Sequence, residues 1–139
     1  MSAGHRLRRG VALLLACAIA VASVARPSAA QKPDPRTQPA AAIAEAIRLL
    51  EGKEYARFLE TFSRPGDLTE MLATRKMDDL VAEFASERSP DILAALKAAS
   101  GMPPTVSQDG LRVDYRFEKP FGREKRISMV KIGEYWYFR

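Results

Sequence analysis

"DGLRVDYRFEKP", Asp109–Pro120, decides the fold. Leu111, Val113, Tyr115 and Phe117 alternate with Arg112, Asp114, Arg116 and Glu118. A period of two puts the first set on one face of a strand and the second on the other. The apolar face predicts a half-buried strand, and the mixed signs on the polar face permit cross-strand pairing. Asp109-Gly110 is a tight-turn dipeptide, so "PTVSQ" before it is predicted to pair with the strand after it. Pro120 is predicted to end that strand. "FGREKR" then turns, "ISMVKI" runs back, Gly133-Glu134 turns again, and "YWYFR" is the last strand. Connections this short give an antiparallel meander of about four strands. In the last one Trp136 and Phe138 point one way, Tyr135 and Tyr137 the other.

Upstream of this stretch the period is helical. Ile43, Ile47 and Leu50 share one face, as do Tyr55, Phe58, Leu59 and Phe62, with an interruption at Gly52. "SRPGD" breaks the chain. Asp67 is predicted to cap the next helix with Glu70 as its capping-box partner. Met77, Leu80, Val81 and Phe84 form another stripe. Ser89 is predicted to cap a last helix that has Pro90 at its first position and Ile92, Leu93 and Leu96 facing inward. Helices first and a meander second is an α+β pattern.

The first thirty residues are of another kind. "MSAGHRLRRG" is basic, Val11–Ala25 is apolar, and "RPSAAQ" offers small residues. Together they read as a secretory signal peptide, residues 1–30, with exits after Ala25 or, preferred, Ala30. The apolar run is shorter than the roughly 20 residues a bilayer span needs. The alternative is an uncleaved anchor. The expected destination is periplasmic or extracellular. "QKPDPRTQP", residues 31–39, reads as a short Pro-rich linker, and residues 40–139 as a single α+β domain.

Removal of the leader changes the chemistry on offer. The chain carries 22 Lys+Arg and 17 Asp+Glu, +5 in all. The leader holds Arg6, Arg8, Arg9 and Arg26, so the remainder has 18 basic and 17 acidic residues, +1. The basic balance is therefore poor support for nucleic-acid binding. His5 and Cys17, the only histidine and cysteine, leave with the leader. That excludes a disulfide framework, a thiol nucleophile, a histidine-based triad and zinc sites with nitrogen or sulfur ligands. No Gly-rich phosphate loop or metal-ligand cluster is present, and neither cofactor nor metal is expected. The local basic cluster is Arg123, Lys125 and Arg126, split by Glu124. It reads as a solubilising hairpin tip, with an anionic envelope component as the alternative partner.

"AIRLLEGKEYARFLETF" resembles the opening of nuclear-transport-factor-2-like, or cystatin-like, domains, in which a long helix breaks at a Gly-Lys/Asp-x-Tyr-x-x-Phe stretch and continues. "MVKIGEYWYF" is similar to their final hairpin. The resemblance covers about Ala40 to Arg139. It implies N-terminal helices packed on one face of a curved antiparallel sheet of about four strands, leaving a conical pocket. Members of that superfamily include enzymes, ligand binders and domains that dimerise through the sheet. The enzymes need an acid–base group inside the cone. Here the predicted inner face offers only the Tyr115 hydroxyl, and a buried tyrosine with a structural partner is the commoner case. Tyr115, Tyr55 and Trp136 are the candidate ligand-contacting residues, Arg123, Lys125 and Arg126 the candidate anion-binding ones. Asp78 and Asp79, adjacent at a helix start, read as dipole partners. The expectation is an exported, non-enzymatic binding or interaction domain. The alternatives are an enzyme acting on a small apolar ligand in the cone and an anionic-envelope binder working through residues 119–126. A protein partner or a homodimer through the sheet also fits the resemblance.

Overall fold

The structure, a computed structural model, describes residues 31–139, and the compact unit is Lys32–Arg139. The predicted signal peptide lies outside the described residues. Five α-helices precede four strands: α1 (Pro39–Glu51), α2 (Tyr55–Phe62), α3 (Asp67–Thr74), α4 (Met77–Glu83), α5 (Ser89–Ser100), β1 (Thr105–Val106), β2 (Arg112–Phe121), β3 (Glu124–Ile132) and β4 (Tyr135–Phe138). The strands form one antiparallel sheet in sequence order, an open meander. Among the described residues no helix is long and apolar enough to cross a membrane.

The break between α1 and α2 falls where the sequence places it. Its strained residue is Lys53, at φ 56°, rather than Gly52. Lys53 N–H donates to Leu50 O (3.1 Å) and Glu54 N–H to Leu49 O (2.8 Å), which ends the helix in the paired reverse bonds of a Schellman motif. Arg48 spans the break, pairing with Glu45 (2.7 Å) and Glu54 (3.0 Å).

Two predicted caps are corrected. Asp67 is the first residue of α3, after Gly66 at φ 98°, and pairs with Arg64 (2.7 Å) instead of closing a capping box. Ser89 does not cap α5: its hydroxyl donates to Ala85 O (3.1 Å). The chain stays helical from α4 to α5 through one π turn, Phe84–Arg88. Pro90 supplies no amide to the previous turn, and a widened turn accommodates that loss. Asp78 and Asp79 are exposed in the first turn of α4.

Strand pairing gives each sheet face its residues. Val113 lies opposite Met129, and Tyr115 opposite Ile127. Met129 also faces Phe138. This face, with Trp136, packs on Ile43, Leu49, Phe58, Phe62 and Leu96. Phe138 completes an aromatic stack, its ring centroid 5.9 Å from Phe58 and 5.2 Å from Phe62. β4 is thus part of the core, which explains why a terminal strand is so aromatic.

Pro120 does not end β2. The strand runs to Phe121, with its register shifted between Arg116 and Phe121. An irregular, exposed stretch tolerates a residue that cannot donate to the ladder. The turn is set by Gly122, at φ 56°, where a Cβ would collide with the Asp91 carboxylate of α5.

The segment read as a linker is partly built into the fold. Pro35–Thr37 is a 3-10 turn started by Asp34, whose carboxylate accepts from Arg36 N–H (2.9 Å). The Arg36 guanidinium pairs with Asp34 (2.7 Å), donates to Thr61 O (3.3 Å) and stands 4.4 Å from the Tyr135 ring centroid. Proline density suggests an extended tether; one arginine with three partners holds it in place.

Candidate functional site

The sheet face turned away from the helices carries the charge. Across it, Asp114 lies opposite Ser128, and Arg116 directly opposite Arg126. Arg139 N–H donates to Ser128 O (3.0 Å), which places Arg139 beside this row. Asp114 is bound locally: Arg112 Nη2 (3.3 Å) and the Ser128 hydroxyl both donate to its Oδ1. Burial works to raise the Asp114 pKa, but the Ser128 hydroxyl and Arg112 outweigh it, Arg126 adds to them, and the carboxyl stays below its ordinary range.

At the end of this face a groove of about 400 Å³ is lined by Arg123, Glu124, Lys125, Arg126, Ser128 and Arg139. All three predicted anion-binding residues therefore line one concavity. Sequence reading placed Glu124 among them as an internal counter-charge. The structure corrects this. Glu124 pairs with Arg88 (2.7 Å), and its side chain is only 17% exposed. Arg88 projects from the π turn, so the irregular turn and the ion pair belong to one arrangement. The cations keep no such partner: among the described residues none of Arg116, Arg123, Lys125, Arg126 or Arg139 enters an ion pair. A second acid, Asp91, accepts from Arg123 N–H at 3.4 Å and is directed at the hairpin backbone.

Like charges directly opposite on a strand pair destabilise it. The Arg116/Arg126 pairing therefore costs stability that any anion lying across the two would recover. Arg139 is the member that sequence reading missed. The signal was present, since alternation from Tyr135 puts it on the face of Tyr137, but nothing local says that it meets the β2–β3 turn.

The three aromatic candidates go to different surroundings. Trp136, 6% exposed, is core. Tyr55 sits edge-on to Phe84, with ring centroids 6.0 Å apart. Tyr115 lines a separate cavity of about 250 Å³ with Gln38, Pro39, Ala40, Ile43 and Met102 among its walls. Neither Tyr55 nor Trp136 lines that cavity. Among the described residues no group of three or more His, Cys, Asp or Glu is placed to hold a metal.

No protein-family model, no curated protein and no solved structure matches this chain.

Proposed function

We propose that this chain is a small exported, non-enzymatic binding domain of the nuclear-transport-factor-2-like class, and that its working surface is the basic groove at the end of β2–β4. The class rests on the resemblance of the helix break and the last hairpin. It is compatible with the order of helices followed by an antiparallel meander. The observation that carries the binding reading is the Arg88–Glu124 pair. It offsets the charge of Glu124, the one acid in the groove lining, and leaves Arg123, Lys125, Arg126 and Arg139 without ion-pair partners among the described residues around a shared concavity, with Arg116 facing Arg126. The ligand chemistry is a clustered anion, such as the phosphates of an envelope component.

Vesicles containing an anionic phospholipid test this at low ionic strength. Binding is expected and should weaken as salt rises through about 0.1 M, where the screening length is about 10 Å. A triple variant, Arg123→Ser with Lys125→Ser and Arg126→Ser, should lose binding with stability changed by less than about 0.5 kcal/mol. Competition by inorganic tripolyphosphate without vesicle binding would point to a soluble phosphate ligand rather than a lipid surface. Absence of binding to either probe, or equal binding by the triple variant, would overturn the proposal.

A further inference from the structure

On the opposite face of the sheet from the basic groove, Tyr115 is only 4% exposed and, among the described residues, its hydroxyl enters no hydrogen bond. That hydroxyl is not sealed in. Among the described residues the Arg112 Nε is the only fully enclosed side-chain polar atom left without a hydrogen bond. Tyr115 is one of the residues that line the cavity beside the start of α1.

The cavity's second polar feature is the start of α1, a helix of 13 residues. Gln38 is its N-cap residue and makes no side-chain capping bond, and Pro39 at the first position has no amide hydrogen. The amides of Ala40 and Ala41 precede the first residue able to close a helical bond, Ala42, which donates to Gln38 O (2.9 Å). Gln38, Pro39 and Ala40 all line the cavity. Free amides and the positive end of the helix dipole favour an anionic acceptor there. The remaining walls are apolar apart from Ser100 on the rim, whose hydroxyl donates to Lys97 O (2.8 Å): Ile43 from α1, Ala99 from α5, and Met102 and Pro104 from the following loop. Burial also raises the Tyr115 pKa, which keeps the hydroxyl protonated as a donor.

We propose that this cavity binds a small carboxylate with an apolar body. The carboxylate would accept from the Tyr115 hydroxyl and the first amides of α1, and the body would lie on Ile43, Ala99, Met102 and Pro104. The volume, about 250 Å³, equals roughly eight waters at ~30 Å³ each. That is below the usual span of about 300–1,000 Å³ for drug-sized ligands. The ligand is thus a short-chain acid. This site is independent of the basic groove and shares no lining residue with it.

The test is a titration of the ¹⁵N-labelled protein with hexanoate, followed by amide shifts, with hexanol as the uncharged control. Hexanoate is expected to move the amides of Ala40, Ala41 and Ala99. Tyr115→Phe keeps the ring and removes the donor, so it should bind roughly three- to tenfold more weakly, as expected for one hydrogen bond. Ser100→Phe, at an exposed position on the cavity rim, should block binding while the rest of the spectrum remains that of the folded parent. The triple serine variant of the basic groove should bind hexanoate as well as the parent does, which separates this site from a general attraction of anions to Arg123–Arg126. Unmoved amides at the start of α1, a Tyr115→Phe variant that binds as tightly as the parent, or hexanol binding equal to hexanoate would overturn the assignment.

Discussion

The two faces of the sheet are made from neighbouring residues of the same strands, and they follow opposite rules. On the helix-covered face Val113, Tyr115, Ile127, Met129 and Trp136 are all at least nine-tenths buried. Every side chain there adds apolar contact to the next. On the other face Arg112 and Asp114 are coupled ions, Ser128 is 6% exposed and bonded to one of them, and Arg116 and Arg126 stand opposite each other. One face is arranged for stability. The other carries a repulsive pair that stability alone would not select, and strain of that kind is commonest where a surface has a second task.

The largest expected effect tests the first face. Trp136→Ala should lower stability by about 3–5 kcal/mol, the usual cost of truncating a buried aromatic, and denaturant melts of variant and parent measure it. A loss under about 1 kcal/mol would mean that β4 is peripheral and that the contrast between the faces is overstated.

An intermediate effect belongs to the ionic network of the second face. Asp114→Asn keeps the shape and removes the charge held by Ser128 and Arg112; it should cost about 1–3 kcal/mol at neutral pH. The pH dependence follows from the direction of the Asp114 shift. Its folded-state pKa is below the unfolded value of about 3.9. Its contribution is therefore complete above that value and is lost as pH falls through the folded pKa. Acid unfolding of the parent should be steeper below about pH 4 than that of the Asn variant. Parallel acid profiles would show that the carboxylate is not coupled to folding.

The smallest effect sharpens the contrast most. Arg126→Thr removes one partner of the like-charged pair and places a strand-favouring residue on the exposed face. Stability should rise by up to about 0.5 kcal/mol while binding to anionic vesicles falls. A variant that loses stability would show that Arg126 is a structural member of the second face rather than part of a working surface.

How much was legible follows from which interactions are local. The strand of Val113 and Tyr115 and the helix of Phe58 and Phe62 were readable because one period assigns one face. So was the break at Gly52–Glu54, although the backbone strain moved to Lys53. The role of Ser89 was not readable, since whether its hydroxyl caps forward or bonds back to Ala85 depends on whether the preceding turn remains helical. The same holds for Pro120: a proline reads as a strand end until the register shift around it is seen.

For the candidate sites the division is sharper. The sequence alone determined the cluster of Arg123, Lys125 and Arg126, the one hydroxyl on an otherwise apolar strand face, the aromatic last strand, and the loss of every histidine and cysteine if residues 1–30 are removed. Only the tertiary structure decided what those groups meet. It turned Glu124 to Arg88, 36 residues away, brought Arg139 beside the hairpin, anchored Arg36 on Tyr135, and set Tyr115 in the wall of a cavity that the start of α1 also lines. The physical reason is range. Periodicity, turn chemistry and composition report which groups share a face within one element. Whether a charge is cancelled or left free, and whether a buried hydroxyl is satisfied or exposed to a cavity, depends on side chains that only the packing of distant elements brings within a few ångströms.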